Sequence, residues 1–158
     1  MELKLTEEFE RAYDLMCAPE ENVFITGKAG TGKSTLLEYF RDRTDHNLAV
    51  LAPTGVAAVN VRGQTIHSFF GFGPDITVEQ IEAGRVKPHE PDVYKNLQTL
   101  VIDEISMVRA DLLDCVDSFL RKFGPAPGEV FGGVKAIFIG DPFHLEPGCT
   151  ADETEFFE

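Results

Sequence analysis

The sequence predicts a parallel α/β sheet flanked by helices, on three observations. Short apolar segments alternate with segments of helical periodicity along the chain. The apolar segments are hydrophobic at successive positions, as strands buried on both faces are. The polar and glycine-rich stretches suited to chemistry all follow the carboxyl ends of those strands, where ligands bind in such sheets. With 158 residues, 43% of them hydrophobic, the chain reads as one domain with a sizeable core.

Thr6 can cap a first helix, with Glu7 and Glu8 near its positive end. Phe9, Ala12, Tyr13 and Met16 then recur at i, i+3, i+4 and i+7, a face that should pack on the sheet. Val23–Thr26 is a short buried strand, and Leu36, Leu37 and Phe40 mark the helix after the next loop. Leu48–Ala52 is a second strand, broken by Pro53-Thr54-Gly55 before a short helix over Val56–Asn60. Phe69–Pro74 is aromatic and glycine-rich, which reads as a loop with anchors. A brief helix near Thr77–Ala83 ends at Gly84, and the polar Arg85–Pro91 segment is expected to be the most mobile internal region. Leu97–Ile102 is a third strand. Arg109–Phe123 is the clearest helix, with Leu112, Leu113, Val116, Phe119, Leu120 and Phe123 in one stripe and Gly124-Pro125 at its end. Gly128–Gly133 is a loop and Val134–Ile139 a fourth strand.

Between the first strand and its helix stands Gly27-Lys28-Ala29-Gly30-Thr31-Gly32-Lys33-Ser34-Thr35, which fits G-x-x-x-x-G-K-[ST] in the strand–loop–helix context that motif requires. Glycines permit φ > 0 and close approach of backbone to phosphate. The amides from Gly30 onward and the helix N-terminus supply donors and partial positive charge. Lys33 is expected to reach the β/γ-phosphates of a nucleotide, and the Ser34 hydroxyl to take a Mg²⁺ position.

Leu100-Val101-Ile102-Asp103-Glu104 is an apolar strand ending in two acids, about seventy residues after that loop. Alone, two acids after a strand also describe a solvated turn. Paired with the phosphate loop, Asp103 is expected to hold Mg²⁺ and Glu104 to polarise the water that attacks the γ-phosphate. P-loop kinases need no activated water, so Glu104 favours hydrolysis. Ile139-Gly140-Asp141 closes the fourth strand, where a γ-phosphate sensor would sit. His144 is the nearest polar candidate, against the alternative of a surface histidine.

Charge is the opposing observation. The chain has 27 acidic and 14 basic residues, a net charge of −13, where nucleic-acid binders usually show a basic footprint. The acid gathers in the first helix and in the tail, so a local basic patch around Lys28, Lys33, Arg41, Arg43 and Arg62 remains compatible with the total. Cys17, Cys115 and Cys149 are widely spaced and form no C-x-x-C, which fits a reduced, cytosolic setting better than disulfides or zinc. Cys115 sits beside an apolar stripe, where packing is its expected role. No apolar run is long enough to span a bilayer, and Met1–Glu10 is too polar for a secretory leader.

Five segments in order form a more specific combination: Gly27–Thr35; Ala52-Pro53-Thr54-Gly55-Val56-Ala57-Ala58; Gly63-Gln64-Thr65-Ile66-His67-Ser68-Phe69-Phe70; Asp103-Glu104-Ile105-Ser106-Met107; and Gly140-Asp141-Pro142-Phe143. Nearly the whole chain resembles the first motor domain of the Pif-one-like DNA helicases, in the RecD-like branch of helicase superfamily one. The resemblance implies a RecA-like core with the fourth strand between the phosphate-loop strand and the Asp103 strand. It implies an ATP- and Mg²⁺-dependent motor that tracks single-stranded DNA from 5′ to 3′, in genome maintenance. Gly27, Ala29–Thr35 and His144 would then contact nucleotide, while Thr54, Gly55, Asn60, His67 and Phe69 would face DNA. Hydroxyls and amides at a helix start suit phosphates, and aromatics suit base stacking. For Phe69, Phe70 and Phe72 the competing role is core anchoring.

The chain departs from the family pattern in three ways. His144 stands where relatives carry Gln. No Gln precedes Gln64, and Phe9 and Glu10 occupy the region where many relatives read adenine. The chain also ends at Glu158, where relatives continue into a second RecA-like domain with an arginine finger. These residues are therefore expected to be part of a motor domain, monomeric or weakly dimeric, with Val23–Thr26 on an exposed sheet edge. Two other readings stay open at this point: a regulatory nucleotide-binding module that never hydrolyses, and another P-loop ATPase such as an AAA-type motor.

Overall fold

Period-two alternation along the strands decides which side chains face which layer. The structure, a computed structural model, describes residues 6–19, 21–27 and 32–140. Its strands are β1 (Val23–Thr26), β2 (Leu48–Ala52), β3 (Gln64–Thr65), β4 (Thr99–Ile102) and β5 (Lys135–Gly140). They form one sheet in the order β1-β5-β4-β2-β3, and every pairing is parallel. β5 thus lies between β1 and β4, as the resemblance implied. Among the described residues β1 is an edge strand, paired only with β5.

On one face, Val23, Ile25, Val50, Val101, Ile137 and Ile139 are buried under α1 (Glu7–Cys17) and α2 (Lys33–Arg43). Those helices contribute Ala12, Met16, Leu36, Leu37 and Phe40. Thr6 caps α1 as expected, its hydroxyl accepting from the Phe9 amide at 3.2 Å. On the other face, Ala49, Leu51, Leu100, Ile102 and Ala136 meet α4 (Ile66–Phe70), α5 (Val78–Glu82), α6 (Pro91–Lys95) and α7 (Ala110–Phe123). The remaining helix, α3 (Gly55–Asn60), follows β2 and buries only Ala58. The α7 stripe is the expected one: Val116, Phe119 and Leu120 are buried, with Cys115 among them, and Gly124 closes the helix.

Local readings needed four corrections. Phe69 and Phe70 end a helix rather than open a loop, because Thr65 caps α4 and Gly71 terminates it at φ 70°. Gln64–Thr65 is a strand too short to show alternation. Pro91 begins a one-turn helix, its fixed φ suiting the first helical position. The third strand is also shorter than expected, starting at Thr99, because the Gln98 and Thr99 amides both donate to the Asn47 carbonyl. Cys17 and Cys115 are both free thiols. Cys149 lies outside the described residues. No described helix is long and apolar enough to cross a membrane.

Candidate nucleotide-binding site

Three strand tips and one helix start converge at the carboxyl edge of the sheet. Gly27 follows β1, and α2 begins at Lys33 after Gly32, whose φ of 92° suits glycine alone. Gly32 offers no side-chain cap, so the first amides of this eleven-residue helix are left for another acceptor. Helices α1, α3, α4 and α5 are each capped by a threonine hydroxyl instead. Lys28, Ala29, Gly30 and Thr31 lie outside the described residues.

The Lys33 ammonium donates to the Gly27 carbonyl at 2.7 Å and to the Gly140 carbonyl at 3.1 Å. It therefore bridges the tips of β1 and β5. An ammonium has three N–H donors, so among the described residues one remains for an anion. Gly140 has its own constraint: a Cβ there would lie 2.8 Å from Ile105 Cγ2. That contact fits the end of β5 tightly against the turn that follows β4.

In that turn, the Asp103 amide donates to the Leu51 carbonyl at 2.8 Å, which holds the residue in line with the sheet. Asp103 is half-buried, and desolvation raises its carboxyl above the ordinary carboxylate range. The charge of Glu104 pushes the same way, while a backbone hydrogen bond at Glu104 and the charge of Lys33 oppose it. Glu104 itself adopts left-handed backbone, φ 52° and ψ 44°, and leads into a 3-10 turn over Ile105–Met107. Such strain in a residue with a side chain persists only where its surroundings impose it. The buried Ser106 hydroxyl has no hydrogen-bond partner among the described residues.

The donor set fits a magnesium–nucleotide. Among the described residues it combines an uncapped helix start, an ammonium with a free donor, a hydroxyl at Ser34 and a carboxylate at Asp103. Ser34 and Thr35 are exposed at the first turn of α2, where such a ligand would lie. Asp141 and His144 lie outside the described residues, so the sensor position rests on sequence.

The second group of candidates lies beyond β2 and β3. Thr54 caps α3 by accepting from the Ala57 amide at 3.2 Å, which leaves its O–H free to donate. Gly55 and Asn60 are exposed, and between them Val56 and Val59 are each 76% exposed. His67 is half-buried in α4. Phe69 packs edge-on against Phe70 and Tyr94, with centroids at 4.8 and 5.4 Å, and its carbonyl accepts from the Tyr94 hydroxyl. Phe70 and Phe72 are buried, so the anchoring role holds for them. Phe9 packs edge-on against Tyr39 at 5.3 Å and lines a cavity of about 260 Å³ with Glu10, Tyr13, Asp14 and Tyr39.

Sequence reasoning missed Gly140 as the second acceptor for Lys33. The only signal for it was a glycine ending an apolar strand.

A family model described as PIF1-like helicase matches residues 4–155. The chain is 41% identical over 140 residues to the ATP-dependent DNA helicase PIF1 of Saccharomyces cerevisiae, covering 80% of this chain and 15% of that protein. It superposes on a crystal structure of Pif1 helicase from Bacteroides with a TM-score of 0.81 and 43% identity, over 98% of this chain and 36% of that one. A Bacteroides Pif1 in complex with ADP-AlF3 and ssDNA gives a TM-score of 0.78 at 41% identity, again over 98% and 36%. The chain thus spans only a minor part of the relatives it matches. The sheet is that of the RecA-like motor domain, and the AAA-type alternative falls away. Sequence, strand order and superposition agree that the chain belongs to the PIF1-like helicase family.

Proposed function

We propose that these residues are the ATP-binding segment of a DNA helicase motor that moves 5′ to 3′ on single-stranded DNA. The observation that supports this best is the Lys33 ammonium held between the Gly27 and Gly140 carbonyls, with its charge acting on the Asp103 carboxyl. Lys33 orients the β/γ-phosphates, and the amides from Gly30 to Thr35 bind them. Glu104 holds and polarises the attacking water. Ser34 and Asp103 would hold Mg²⁺, which would supply charge neutralisation on the phosphate oxygens. His144 donates to the γ-phosphate. The related Bacteroides protein has been crystallised with ADP-AlF3 and ssDNA, which supports both ligands for the family. Thr54, Gly55, Asn60 and His67 form the DNA-facing surface; Phe69 contributes mainly by packing.

An arginine finger from a second motor domain is worth about 10³–10⁵ in rate in related P-loop enzymes. The 158 residues by themselves are therefore expected to bind Mg-nucleotide, to hydrolyse it slowly at most, and not to unwind DNA. Titration calorimetry with Mg-ADP should show binding that Lys33→Ala weakens at least about tenfold, the scale of one charge-assisted contact. Unchanged affinity in Lys33→Ala would remove the site. The net charge of −13 favours a second reading, a regulatory nucleotide-binding module that never hydrolyses. Single-stranded DNA binding that weakens with salt favours the helicase reading, because phosphate contacts release counterions. No DNA binding at low salt favours the module.

A further inference from the structure

We propose that Arg41 is a positioning residue through which the nucleotide-binding helix α2 sets the place of the turn between α3 and β3. The proposal rests on the nucleotide site assigned above, since it concerns what lies at the other end of the same helix. Lys33 opens α2, and Arg41 stands in its last turn, about 12 Å further along a rigid element. The Arg41 guanidinium donates to two successive carbonyls, Val61 through Nη1 and Arg62 through Nη2, each at 2.6 Å. These carbonyls stand at the C-terminal end of α3, where helix carbonyls lack partners and a cation is favoured.

The clamped turn is unusually constrained. Arg62 adopts left-handed backbone at φ 51°, although it carries a side chain. A Cβ on Gly63 would fall 2.2 Å from the Val50 carbonyl oxygen, so the chain passes there against β2 itself. The Arg62 side chain returns to Glu38 of α2 at 3.3 Å, one turn before Arg41. Strand β3 follows at once, paired Leu51 to Gln64 and Ala52 to Thr65, and Thr65 caps α4. A shift of α2 therefore reaches α3 from its C-terminal end and α4 through β3. These two helices carry Asn60 and His67. Lysine could not replace the clamp, because a point ammonium has no planar fork to span two carbonyls.

Hydrogen exchange tests this on the 158-residue chain, with Mg-ADP as the probe. The Val61, Arg62 and Gly63 amides are informative because they donate within the turn, to Ala57, Val59 and Ala58. Saturating Mg-ADP is expected to slow exchange of the Arg62 and Gly63 amides about threefold or more in the wild type. In Arg41→Gln that response should vanish while the Kd for Mg-ADP stays within about twofold, a readout that mere loss of stability would not produce. Arg41→Lys, the safer variant for folding, should lose most of the response too. A full response in either variant overturns the proposal, and so does a wild-type turn indifferent to bound Mg-ADP. Absence of Mg-ADP binding to the wild type would instead sink the nucleotide site, and this proposal with it.

Discussion

Asp103 and Glu104 are adjacent, yet the fold treats them differently. Burial raises the Asp103 carboxyl, so the folded chain holds that proton more tightly than the unfolded chain. By linkage, the stability Asp103 contributes is full below the unfolded carboxylate pKa and is lost as pH rises through the raised folded value. At neutral pH its charge is a cost that bound cation would offset. Asp103→Asn is therefore expected to stabilise the nucleotide-free chain at pH 7, with the advantage shrinking towards about pH 4. Urea titrations at the two pH values check this; equal stability at pH 7 would contradict it. Glu104 carries backbone strain instead, at φ 52°. Glu104→Gly should raise stability by about 1 kcal/mol while removing the carboxylate proposed to polarise water, a trade expected where strain serves chemistry.

At the scale of elements, Gly63–Phe70 has a local physical account besides any DNA contact. Gly63 permits the close pass by Val50, Gln64 and Thr65 form β3, and Ile66 and Phe70 fill the core. Thr65 caps α4 by accepting from the Ser68 amide at 3.1 Å. Thr65→Ala should cost about 1 kcal/mol by chemical denaturation, and Thr65→Ser should restore most of it. If both variants lose DNA affinity in step with stability, the motif acts by holding α4 in place. Loss of affinity in Thr65→Ser at full stability would point to direct contact instead.

Across the whole molecule, stability divides between the two faces of the sheet. Phe119 is fully buried, with Phe70, Phe72, Tyr94 and Phe123 around it at centroid distances of 4.8–5.7 Å. Phe119→Ala should cost about 3–5 kcal/mol, a large share of the roughly 5–15 kcal/mol typical of a domain. Loss of cooperative thermal unfolding in this variant is the expected observation. On the other face, the buried Lys135 donates to the Leu15 and Ala18 carbonyls near the end of α1, and burial lowers its pKa. A lysine reads as surface in any window of sequence, so this tie between α1 and β5 was not legible there.

The sequence by itself determined the strand–helix alternation, the Gly27–Thr35 motif after the first strand, the Asp103–Glu104 pair and the place of each helix that carries a long apolar stripe. These are properties of neighbouring residues, set by periodicity, capping and spacing. Tertiary structure alone decided that Lys33 meets Gly140, that Arg41 grips Val61 and Arg62, and that Lys135 is buried. Each of those contacts joins residues at least 20 positions apart, and its acceptor is a backbone carbonyl. Every residue has such a carbonyl, so no side-chain pattern announces which one the fold will bring within reach.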